Sequence, residues 1–253
     1  MPLISFIVLT FFYPLLSFAE STVIPSLKDA TLIEQISPEL AAGSAEFIYI
    51  GRIQRGLWSR RGLVQFDLSS IPNNATIQSA ILKLHVANGR AEALDLKVHR
   101  VTNSWGEGAT NSIGGKGGFA APNEATWVSR FSGTTLKWSA LGGDFLSTIS
   151  ARQELSDAGG VSYDITDAGL VNDVIFWLNN PGQNHGWLLE DDTAYSAKAL
   201  ASREHPNATI RPQLIIQWTP QTSEDDSGDV PIPLGMLILL SGGLIYLNKR
   251  HTS

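Results

Sequence analysis

No cysteine occurs anywhere in the 253 residues. Disulfides, zinc–thiolate sites, iron–sulfur clusters and thiol catalysis are therefore excluded. Charge is also sparse, at 17% of residues with a formal net charge of -6. A mildly acidic chain lacks the basic footprint that phosphate backbones require, which excludes nucleic acid as a main partner. Catalytic signatures are missing as well: no His-Glu-x-x-His, no Gly-x-Ser-x-Gly elbow and no P-loop occurs. The Gly-rich runs do not follow a strand and open a helix, so they carry no nucleotide signal. The chain reads as non-catalytic. One enzyme class stays open, polysaccharide cleavage by paired carboxylates, because their separation in space is invisible in sequence.

What is present is apolar and turn-rich, with 43% hydrophobic residues and 23 glycines. Without disulfides the domain must be held by its core, and roughly 150–200 residues suffice to bury most of the unfolded surface.

Both termini read as addresses. Residues 1–19 are almost wholly apolar and end in Ser17-Phe18-Ala19, small residues at the positions a signal peptidase reads. No Lys or Arg precedes this run, so a retained N-terminal anchor is the alternative. Residues 221–229 form an acidic linker, and residues 230–253 an apolar run closed by Lys249 and Arg250. About 18 apolar residues just cross a hydrocarbon core. The basic end stays cytoplasmic by the positive-inside rule, which leaves the folded body outside.

Between them, residues 20–220 read as one β domain. Period-two alternation in Val64-Gln65-Phe66-Asp67-Leu68, in Leu82-Lys83-Leu84-His85-Val86 and in Leu94-Asp95-Leu96-Lys97-Val98-His99 marks half-buried strands. Phe47–Ile50, Trp187–Leu189 and Leu214–Trp218 are further strands. Ile71-Pro72-Asn73-Asn74 and Asn88-Gly89 are turns. Leu170, Val171, Val174, Ile175 and Leu178 share one face of a helix capped by Thr166 or Asp167 and ended by Asn179-Asn180-Pro181-Gly182. The expected fold is all-β, an antiparallel two-sheet sandwich with one short helix. The Gly-rich stretch from Trp105 to Asp144 holds three tryptophans, which suits an ordered elaboration packed on the sandwich.

Two resemblances add to this. The run Arg60–Leu68 with Ile71-Pro72, then Ala75–Leu84, Val98–Thr102 with Ser104-Trp105-Gly106-Glu107-Gly108, and later Trp187 and Ser202-Arg203-Glu204, resembles the DNRLRE-domain proteins. That group is similar to a carbohydrate-binding module, so the resemblance implies a jelly-roll-like sandwich outside the cell, with relatives that bind glycans. The eponymous string itself is absent. The tail, with Val230, Pro231 and Pro233 before the small-residue apolar span and Lys249-Arg250 after it, resembles the PEP-CTERM sorting signals of Gram-negative bacteria. That likeness implies recognition by an exosortase-type transpeptidase at the membrane. Ile232 stands where those signals usually carry Glu, and an ordinary single-span anchor is the alternative.

Candidate site residues follow from chemistry. Trp58, Trp105, Trp127 and Trp138 offer flat faces to sugar rings, or else fill the core. Asp144, Glu190, Asp191 and Asp192 supply the oxygens of a structural calcium site, or else form solvated acidic loops. His85 and His99 both fall on the polar face of their strands, where they share a metal if those strands are neighbours, or else are solvated surface residues. No other cofactor is expected. The leading reading is an exported, non-catalytic component of the cell envelope or extracellular matrix. A surface-displayed glycan-binding module is the alternative, and a polysaccharide-cleaving enzyme the third.

Overall fold

In the computed structural model, residues 18–53 and 58–221 are described. The body of the expected signal peptide, the acidic linker beyond Gln221 and the sorting residues Val230, Pro231, Pro233, Lys249 and Arg250 lie outside them. Among the described residues, no helix is long and apolar enough to cross a membrane.

The chain runs β1 (Glu20–Ile33), β2 (Leu40–Ala41), β3 (Phe47–Ile53), β4 (Trp58–Phe66), β5 (Thr76–Asn88), β6 (Leu94–Val101), β7 (Gly118–Phe119), β8 (Phe145–Leu155), β9 (Val161–Thr166), α1 (Ala168–Asn179), β10 (Trp187–Glu190), β11 (Ala197–Ala201) and β12 (Gln213–Thr219). Every strand pairing is antiparallel. Among the described residues the fold is mainly β with one α-helix, consistent with the expected sandwich.

Two strands serve both layers. The first part of β1 pairs with β12, from Glu20↔Trp218 to Pro25↔Gln213. Past an irregularity between Ser26 and Lys28, the rest pairs with β4, from Lys28↔Gln65 to Ile33↔Arg60. Such a bulge bends a strand enough for it to change sheets. In β3, Phe47–Gly51 pair with β11 and Gly51–Ile53 with β4. The pivot is Gly51, at φ 95°, where a Cβ would lie 2.5 Å from the Ser196 carbonyl oxygen. One layer is thus β9–β5–β12–β1, and the other β1–β4–β10–β6–β8.

The main core fills the space between the layers, and its residues follow the alternation read from sequence. Leu82, Leu84 and Val86 of β5 meet Val64 and Phe66 of β4 and Leu94, Leu96 and Val98 of β6 in one cluster. A second cluster lies on the opposite face of β4 and β10. There Leu63 and Leu188 pack with Ala30, Leu32, Trp105, Trp127 and Trp138. This explains why Leu63-Val64 and Trp187-Leu188-Leu189 are unbroken apolar runs: both faces of these strands are covered, one by the sandwich core and one by the elaboration.

The helix is where expected, and Asp167 is its cap, accepting from the Gly169 N–H at 2.9 Å. Its buried face differs from the expected one. Leu170, Val174 and Leu178 are buried as expected, but Asp173 and Trp177 join them, while Ile175 is 40% exposed. A partner that only the tertiary structure supplies draws the face round. Trp187 Nε1 donates to Asp173 Oδ2 at 2.8 Å, and the Trp187 ring lies 4.7 Å from that of Trp177.

Candidate functional site

At the β3–β4 connection, Ile53 pairs with Trp58, whose side chain starts β4 at the end of the sandwich. Trp58 is 43% exposed. Beside it runs the turn after β1, tied to β4 by two bonds: Glu34 N–H donates to the Ser59 carbonyl at 3.1 Å, and Ser59 N–H donates to Glu34 Oε2 at 2.5 Å. Gln35 Nε2 donates to the Pro38 carbonyl at 3.0 Å, which closes the turn on itself.

The far wall comes from the elaboration. Trp127 is held by Gly142 N–H, which donates to its carbonyl at 2.7 Å, and by the Arg61 guanidinium stacked 4.9 Å from its ring. Arg61 is itself fixed by an ion pair with Asp192 and by donation to the Gly142 carbonyl at 2.7 Å. Gly142 has φ 85°, and a Cβ there would meet the Trp127 ring at 2.7 Å. Together these elements enclose an open groove of about 510 Å³ lined by Glu34, Gln35, Ile36, Ser37, Trp58, Trp127 and Leu141. Ile36 is 65% and Leu141 52% exposed, so the groove offers apolar faces among polar side chains.

The structure divides the four candidate tryptophans. Trp58 and Trp127 both line the groove, but Trp127 is 7% exposed and packs in the second core cluster, so of the four only Trp58 presents a ring to solvent. Trp105 and Trp138 are 2% and 6% exposed, and their indole N–H groups donate to the His185 and Thr126 carbonyls. Their faces pack the second core cluster, so they have none to offer a sugar.

The four candidate calcium ligands do not come together in a shared ion-binding group. Asp144 accepts from Ser139 N–H and Oγ, Ala140 N–H and Asn103 Nδ2. Its burial raises the carboxyl pKa, but these bonds outweigh that and hold it below its usual value. Glu190 is equally enclosed, with Lys97 Nζ at 3.4 Å, His99 Nε2 at 3.5 Å and the Asp192 N–H at 2.8 Å. Burial again raises its pKa, and these partners bring it down to about 2. Asp191 accepts from Asp95 N–H and from Thr193. Asp192 pairs with Arg61. Each carboxylate is engaged by protein donors of its own. The two histidines do not meet either, because β5 pairs with β9, β11 and β12, and β6 with β8 and β10. His99 is buried at 5% exposure, not on the solvated face, because its ring packs on Phe145 and Nδ1 contacts the Leu146 carbonyl oxygen.

Another carboxylate group went unread in the sequence. Oxygens of Asp29, Glu107 and Glu204 lie within 4.8 Å of one another, which among the described residues is the arrangement that would admit a cation. Arg203 already sits among them, with Nη1 2.8 Å from Glu107 Oε2 and 3.3 Å from Glu204 Oε1, and its N–H donates to Asp29 Oδ2 at 2.8 Å. Glu107 and Glu204 fall inside two of the segments quoted for the family resemblance. Asp29, on β1, carried no signal. It is 2% exposed, and burial pushes its carboxyl well above the usual range against the opposing bond from Arg203 N–H.

A pKa raised on folding stabilises the fold fully below the unfolded value and loses that contribution as pH rises through the folded one. Asp29→Asn removes the buried charge while keeping an acceptor for Arg203. Its stability relative to the parent is therefore expected to improve in chemical denaturation as pH rises above the ordinary carboxylate range, from about 4 upward. A difference that is flat above about pH 4 would show that Asp29 does not titrate there.

Comparison with protein-family models found no match. Comparison with curated proteins likewise found none.

Proposed function

We propose that this is an exported, non-catalytic component of the cell envelope or extracellular matrix, whose jelly-roll-like domain meets polysaccharide at the Trp58–Trp127 groove. The observation that carries this is the groove itself: the half-exposed indole of Trp58, with Ile36 and Leu141 as apolar flanks and Gln35, Ser37 and Glu34 as hydrogen-bonding side chains. Sugar rings present apolar faces with hydroxyls at their edges, and an aromatic platform bordered by polar groups matches both. The apolar N-terminus ending at Ala19, and the tail from Val230 to Arg250, support export and membrane sorting by signal peptidase and an exosortase-type enzyme.

The test uses the full chain in a mild non-ionic detergent against a panel of neutral and acidic polysaccharides. Trp58→Ala is expected to weaken binding roughly two- to ten-fold, since one aromatic ring contact contributes on the order of 0.5–1.5 kcal/mol. Its thermal midpoint should barely change, because the side chain is half exposed. Absence of saturable binding across the panel would remove the glycan reading. Sugar released from the panel would restore the enzyme reading. Mass spectrometry of the mature protein from its native host would show whether residues 1–19 and the tail are removed.

A further inference from the structure

A separate groove of about 550 Å³ opens where β5 ends and β11 begins, lined by Tyr49, Arg52, Asn88, Arg90, Tyr195 and Ser196 among others. Two arginines line it, and no acidic side chain does. Among the described residues, the arginines in ion pairs are Arg61, Arg100, Arg152 and Arg203. Arg52 and Arg90, like Arg60, Arg130 and Arg211, have no carboxylate partner within ion-pair distance among those residues. Arg52 is anchored through its backbone N–H to the Ser196 carbonyl at 3.3 Å and through Nη1 to the Asp192 carbonyl at 3.2 Å. Its Nε is buried without an acceptor. Arg90 is exposed, and its backbone is held by Lys198 Nζ, which donates to its carbonyl at 2.7 Å.

Beside these cations stand two phenol rings. Tyr195 is 76% exposed, and Tyr49 packs so closely on Gly115 that a Cβ there would lie 2.8 Å from the ring. On the other side of Tyr195, a different groove carries Glu92, Asp95, Glu154 and Asp191, so the positive character is local. Guanidinium forks match the oxygens of sulfate and phosphate groups, and tyrosine rings match the apolar face of a sugar. A net charge of -6 disfavours general adhesion to polyanions, so any that bind must be held at a local cationic site.

We infer that this groove is a second binding site, independent of the Trp58 groove, for a sugar unit bearing a sulfate or phosphate group. Arg52 and Arg90 take the oxyanion, and Tyr49 and Tyr195 flank the ring.

The test is affinity electrophoresis of the full chain in mild detergent through gels holding dextran or dextran sulfate, which share one backbone. Retardation by dextran sulfate alone is expected. Arg90→Gln should weaken it roughly five- to ten-fold, and Arg52→Gln with Arg90→Gln should abolish it. Arg152→Gln, an equal charge change at an exposed ion pair on β8, should leave it unchanged. Glucose 6-sulfate and glucose 6-phosphate should compete, whereas glucose should not. Equal loss in Arg152→Gln, or no preference for dextran sulfate, overturns the site. Equal competition by inorganic sulfate or phosphate overturns the sugar-borne assignment. Trp58→Ala should leave all of these values unchanged, which keeps this outcome separate from that of the Trp58 groove.

Discussion

Trp187→Ala is expected to cost about 4 kcal/mol of folding stability, the largest effect of any single change discussed, because it opens a cavity at the centre of the main core. Trp187 is fully buried, 4.7 Å from the Trp177 ring and 6.0 Å from the Phe66 ring. It joins α1 to the sheet, since its backbone pairs with β4 and β6 while its Nε1 donates to Asp173 on the helix. Alanine removes the ring volume and also leaves Asp173 with only the Arg100 ion pair, at 3.4 Å. The comparison Trp187→Phe separates the two losses. It keeps most of the packing and removes the donor, so about 1–3 kcal/mol is expected. Urea denaturation with both variants checks this. A cost below about 1.5 kcal/mol for alanine would mean that the core closes over the gap, contrary to the packing described.

Glu124→Gln is expected to cost about 2–3 kcal/mol and to loosen one region rather than the whole domain. Glu124 is 1% exposed. Its Oε1 accepts from Ala109 and Thr110 N–H at 2.6 and 2.7 Å, and its Oε2 from Thr110 Oγ1 and Ala121 N–H at 2.5 and 2.8 Å. Four donors converge on two oxygens, and this one side chain replaces the ladder that the irregular segment lacks. An amide supplies one such oxygen and turns an NH₂ group toward the remaining donors, so at least one backbone N–H loses its acceptor. Hydrogen exchange should then quicken at Ala109, Thr110 and Ala121 while β5 and β6 keep their protection. Uniform acceleration across the sheet, or none, would contradict this local role.

The strands that sequence made legible are those with one buried and one wetter face. Leu82, Leu84 and Val86 alternate with Lys83 and His85 because β5 faces the core on one side only. The helix was legible for the same reason, through Leu170, Val174 and Leu178. β1 was not, because it changes partner in mid-strand and carries Pro25 where it leaves β12. β8 and β9 were hidden too. Each pairs on one side only, and their exposed positions dilute the apolar pattern.

The candidate sites divide along the same line. Residue type alone nominated the tryptophans and acidic residues, since only flat rings and oxygen ligands suit sugar and calcium. Residue type does not reveal what a side chain already touches. Trp105, Trp127 and Trp138 became core, and Asp144 and Glu190 became anchors for neighbouring donors. The Asp29–Glu107–Glu204 group joins three segments far apart in the chain, a juxtaposition with no local signature.

By itself, the sequence determined that thiol chemistry is excluded and that the body has β character. These depend on composition and on periodicity within a few residues. Only the tertiary structure decided which faces stay open to solvent, because that depends on strands meeting across the sandwich and on the elaboration covering one face while leaving the Trp58 groove at its edge.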